Sequence, residues 1–186
     1  GFVQGEASLN EAIGQSYVWL GVAAAGAPEG PDYDLISHML AGKQHVSGKW
    51  SSNSHRPPLE DSEITATALT LRWLRMFSPS HRAEEMTARV DRARDWLLEA
   101  RATSTEERSM QLLGLVWAGA RPSQLRPLRE ALESHQRPDG GWAQIPHRDS
   151  DAYATGQALV ALRLAGAREP RRVARGVEFL LETQEE

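Results

Sequence analysis

The stretch "GFVQGEASLNEAIGQSYVWLGVAAAGA" (Gly1 to Ala27) lies over "GWAQIPHRDSDAYATGQALVALRLAGA" (Gly141 to Ala167) without a gap, at an offset of 140 residues. Phe2 falls on Trp142 and Gly26 on Gly166. Intermediate copies stand at "DSEITATALTLRWLRMF" (Asp61 to Phe77) and "TSTEERSMQLLGLVWAGA" (Thr103 to Ala120). The offset therefore spans three periods of about 47 residues, giving four copies of one unit. A fixed period of this length means that each unit is a supersecondary element buried by stacking on its neighbours, so the unit decides the fold.

A second element lies between these segments. "KQHVSGKW" (Lys43 to Trp50) and "HQRPDGGW" (His135 to Trp142) share the pattern Q-x-x-x-G-x-W, carried by Gln44, Gly48 and Trp50 and again by Gln136, Gly140 and Trp142. "FLLETQ" (Phe179 to Gln184) resembles "WLLEAR" (Trp96 to Arg101), where Arg101 replaces the glutamine, so the intermediate element is degenerate.

Periodicity assigns both elements to helices. Ala152 to Gly166 is apolar nearly all round, with Thr155, Gln157 and Arg163 the strongly polar exceptions, and is expected to be an inner helix buried on most sides. Arg171 to Gln184 reads as a one-sided outer helix with Val173, Val177, Leu180 and Leu181 on its apolar stripe. Met86, Val90, Ala93 and Leu97 form the matching stripe earlier in the chain, as do Leu125, Leu128 and Leu132. "AGA" at Ala25 to Ala27, Ala118 to Ala120 and Ala165 to Ala167 ends inner helices, because glycine accepts the left-handed conformation at a helix C-terminus. Alternating buried and half-buried helices predict an all-α array of about four inner–outer hairpins, an open solenoid or an α/α toroid or part of one. "SGKWSSNSHRPPLED" (Ser47 to Asp61), with its prolines and serines, is the one long irregular loop.

Bulk properties narrow the function. A length of 186 residues fits one domain with a sizeable core, assigned to residues 1–186. Lys and Arg total 21 against 25 Asp and Glu, and the net charge of −4 gives no general attraction to nucleic acid or anionic membrane. No run reaches the roughly 18 apolar residues that span a bilayer, and no secretory signal pattern opens the chain. Cysteine is absent, which excludes disulfides and thiolate ligands and fits reducing and oxidising compartments alike. A start at Gly1-Phe2 and a stop at "FLLETQEE" suggest a segment of a longer protein; neither end reads as a polar cap, so flanking repeats or self-association are expected.

With these residues in place, the chain resembles the Q-W repeat proteins of the squalene–hopene cyclase and prenyltransferase superfamily. Gln44, Gly48, Trp50, Gln136, Gly140 and Trp142 carry the motif, and Gln184 begins another. "SHRPPLEDSEITATALTLR" and "DGGWAQIPHRDSDAYATGQALVAL" resemble a bacterial squalene-cyclase-like branch. The resemblance implies an α/α toroid fold; it does not by itself imply a reaction. The motif residues read as structural: a glutamine ending an outer helix satisfies backbone groups there, and the tryptophan packs over the turn into the next inner helix.

Cyclases of this superfamily that begin by protonation carry D-x-D-D, with the middle aspartate as acid. Asp149 and Asp151 match the first two acidic positions, but Ala152 stands at the third. A carboxyl group protonates an alkene only if it stays protonated and its conjugate base is stabilised by neighbours, and that network is incomplete here. The same slot recurs as Asn10 and Glu11, as Asp61 and Glu63, and as Ser104 with Glu106 and Glu107. Residues of these types cap helix N-termini, so capping is the main reading for all of them.

His147, Asp149 and Asp151 alternate as H-x-D-x-D, better explained as exposed polar residues than as a metal site, and the prenyltransferase zinc site needs a cysteine that is absent. His38, His45, His55, His81 and His135 share no spacing. No cofactor and no metal are implied. Arg56 is expected to pair with Glu60 or Asp61, or to line a mouth of the array. Trp73, Trp117 and Tyr153 fall on inner helices and are candidates to line an apolar pocket, with core packing as the plainer role for the tryptophans. Two functions follow. The first is a binding module for an apolar, isoprenoid-like ligand or a protein partner; the alternative is a class II terpenoid cyclase with Asp151 as acid.

Overall fold

The computed structural model describes residues 12–26, 30–52, 56, 61–167 and 169–184. Among the described residues eight α-helices carry the fold: α1 (Ala12–Ala24), α2 (Pro31–Gly42), α3 (Glu63–Met76), α4 (Ala83–Glu99), α5 (Thr105–Trp117), α6 (Pro122–Ser134), α7 (Ala152–Leu164) and α8 (Pro170–Glu182). A single 3-10 turn, Ser80–Arg82, leads into α4, and no strand occurs among the described residues. The all-α class that the repeat predicts is what the described residues show, with α3–α4, α5–α6 and α7–α8 packed as hairpins of the type from which α/α toroids are built, and α1 and α2 each packed on α3. Asn10, Glu11 and most of the loop from Ser47 to Asp61 lie outside the described residues.

The chain divides into two compact units, residues 1–99 and 100–186, with α1–α4 in the first and α5–α8 in the second. In the first, α3 packs on α1, α2 and α4. In the second, α7 packs on α5, α6 and α8, and α5 packs on α6. The division falls at the degenerate element, where Arg101 replaces the glutamine.

The 3.6-residue period places α4 as expected, with Met86, Val90, Ala93 and Leu97 all buried. In α6, Leu125 and Leu132 are buried and Leu128 is half-buried. Gly119 and Gly166 have φ of 73° and 72° and close Schellman motifs. Ala120 N–H donates to Leu115 O and Ala167 N–H to Leu162 O, each at 2.9 Å.

Two helices depart from the periodicity. α7 buries only one side, through Ala154, Thr155, Ala158, Ala161 and Leu162, leaving Val160 and Leu164 exposed. In α8 the buried residues are Gly176 and Phe179, while Val177 and Leu181 are 44% and 68% exposed. A Cβ at Gly176 would meet Leu159 and Trp142, so the smallest residue, not a branched one, marks the close approach of α8 to α7. Composition gives the apolar character of a helix; its neighbours decide which apolar residues are covered.

Candidate functional site

The Q-x-x-x-G-x-W residues build the same clamp twice. Gln44 Nε2 donates to Gly48 O at 2.9 Å and to Arg89 O on α4 at 2.8 Å. Gln136 Nε2 donates to Gly140 O and to Arg172 O on α8, both at 2.8 Å. Each glutamine thus ties the turn after one outer helix to the side of the next. Gly48 and Gly140 have φ of 100° and 90° and sit against those same helices: a Cβ would collide with Arg92 O in one copy and meet Arg175 O at 2.5 Å in the other.

Trp50 and Trp142 are fully buried. Their ring N–H groups donate to Leu40 O at 2.6 Å and Leu132 O at 2.9 Å, carbonyls in the last turns of α2 and α6. Capping of the outer helix end therefore falls to the tryptophan, whereas the glutamine staples hairpin to hairpin. Two further pairs complete the clamp, and the sequence motif does not mark them. Thr67 Oγ1 and Thr155 Oγ1 accept the Trp50 and Trp142 backbone N–H, each at 2.9 Å. Arg89 Nη1 donates to Ala41 O at 2.7 Å, and Arg172 Nη1 to Glu133 O at 3.0 Å. The Arg89 and Arg82 guanidiniums also hydrogen-bond Glu85, holding its carboxyl below the ordinary glutamate value.

At the degenerate element the clamp is lost. Glu107, not a tryptophan, stands at the motif spacing after Arg101; Gln111 Nε2 on α5 donates to the Ala100 carbonyl at 2.8 Å. Ser109 stands five residues after the Ser104 cap, as Thr67 stands five after Ser62, and its buried hydroxyl finds no partner among the described residues. Ser109→Ala is therefore expected to leave stability unchanged or raise it. Thr155→Val, which strands a buried N–H, should cost about 1–3 kcal/mol in a urea melt.

The acidic slot marks helix starts, but of its acidic residues only Asp151 is an N-cap and only Glu107 closes a capping box. Asp151 is the N-cap of α7: its Oδ1 accepts the Ala154 N–H at 2.9 Å, and its own N–H donates to Trp142 O at 3.0 Å. Asp149 is exposed. At the start of α3 the capping residue is Ser62, whose Oγ accepts the Ile64 N–H at 3.1 Å, and not Asp61 or Glu63; Glu63 instead pairs with Lys49 at 2.7 Å. Ser104 caps α5 in a capping box closed by Glu107, while Glu106 turns inward and is 4% exposed. At α3 the cap is thus a hydroxyl one position before Glu63.

The candidate ligand residues divide between the two units, Trp73 and Arg56 in the first and Trp117 and Tyr153 in the second. Trp73 is fully buried in an aromatic cluster, its ring centroid 4.4 Å from Phe77, 5.2 Å from Tyr33 and 6.4 Å from Trp19, and its ring N–H donates to Ser37 Oγ at 3.0 Å. Thr105, which starts α5, bonds Ala143 O at 2.6 Å ahead of α7, so both helices begin at the same end. Tyr153, in the first turn of α7, and Trp117, the last residue of α5, thus lie at opposite ends of that pair; both are half-buried. Gln157 Nε2 meets Tyr153 Oη at 3.3 Å. Arg56 is exposed. Among the described residues no three His, Asp or Glu side chains converge as metal ligands would, and no helix is long and apolar enough to cross a membrane. A polar cleft of about 350 Å³ in the first unit is lined by Tyr33, Asp34, Phe77, Ser80 and His81 among others.

Repeated inner–outer hairpins joined by Gln–Gly–Trp clamps define a class of helical repeat domain before any reaction is considered. The family model that matches the chain, over residues 80–183, is the squalene-hopene cyclase N-terminal domain. The match covers more than half of the sequence, and the chain belongs to this family. No curated protein matches the sequence.

Proposed function

We propose that this chain is a non-catalytic member of its family, a helical module that holds an apolar, isoprenoid-like ligand on its inner helices and does not protonate it. The observation that carries this reading is the engagement of Asp151: its carboxylate accepts the Ala154 N–H at 2.9 Å, with Ala152 where a third acidic residue would support an acid. A carboxyl oxygen held by its own helix's N–H serves as a cap, and no third acidic residue stands beside it to make the hydrogen-bond network that an acid needs. Tyr153 and Trp117 are the candidate ligand contacts, since the Trp73 ring is enclosed by other aromatics.

Two substitutions separate a cap from an acid. Asn caps about as well as Asp, so Asp151→Asn should leave the melting temperature nearly unchanged, whereas Asp151→Ala should cost about 1 kcal/mol. Native mass spectrometry with squalene and shorter polyprenyl compounds tests the ligand class: bound mass should appear with the unaltered chain and with Asp151→Asn alike. Absence of bound mass with either protein would remove the apolar-ligand reading.

A further inference from the structure

We draw no further inference here: the strongest candidate, the polar cleft between the start of α2 and the loop after α3, is lined by Asp34, Ser80 and His81, which are exposed, and Asp34 already complements the dipole at the start of its own helix, so nothing in the structure shows what would occupy it.

Discussion

Trp142→Ala is expected to lower the unfolding free energy by about 3–5 kcal/mol, the range for removing a large buried aromatic side chain. The ring is fully buried, its N–H holds Leu132 O at the end of α6, and it lies where a Cβ on Gly176 of α8 would touch it. Truncation therefore opens a cavity at the meeting of the loop, α6 and α8, and leaves Leu132 O with only the His135 N–H at 3.2 Å as donor. Trp50→Ala should behave alike in the first unit, where the ring N–H holds Leu40 O. Trp117→Ala makes the comparison, since that ring is half-buried and outside any clamp, and should cost less. Urea melts followed by circular dichroism give all three values; equal losses at Trp142 and Trp117 would remove the clamp from its central place in the fold.

Gly140→Ala is expected to be nearly as damaging, about 2–4 kcal/mol, although it adds a single methyl group. Two costs coincide. The backbone there has φ of 90°, which residues with a Cβ adopt only with strain, and the new Cβ would stand 2.5 Å from Arg175 O and 3.0 Å from its carbonyl carbon. Those are backbone atoms within α8, so relief requires α8 to move away and breaks the Gln136 to Arg172 hydrogen bond. Gly42→Ala, at the end of α2 with nothing within 4 Å of the added atom, should be close to neutral.

Most of the fold was legible in the sequence because its signals repeat. The 3.6-residue stripes gave the helices, the positive-φ glycines of "AGA" gave their ends, and one recurring period gave the hairpins. The threonine and arginine arms of the clamp were hidden because loop length varies between copies: Thr67 lies seventeen residues after Trp50, but Thr155 lies thirteen after Trp142. A motif search at fixed spacing keeps glutamine, glycine and tryptophan together and loses the partners beyond a variable loop. Burial of α7 and α8 was only half legible for a different reason. Val160, Leu164, Val177 and Leu181 are exposed although apolar, and no property of the residues themselves records which apolar side chains a neighbouring helix covers.

The acidic slot shows the same limit at the scale of single residues. Glu106 and Glu107 are adjacent and chemically alike, yet Glu107 closes the capping box while Glu106 turns into the interior. One residue on a helix is a rotation of about 100°, enough to exchange solvent for core. At Asp151 the type of residue, its place before an apolar helix and the missing third acid all pointed to a cap, and the carboxylate does accept its own helix's N–H.

The most direct test of the account is product analysis after incubating the unaltered chain and Asp151→Asn with squalene and shorter polyprenyl compounds, with separation that resolves cyclised isomers from the starting polyene. The expected result is recovery of unchanged polyene from both proteins. A cyclised isomer formed by the unaltered chain and absent with Asp151→Asn would contradict the account, making Asp151 an acid and its hydrogen bond to Ala154 a resting arrangement.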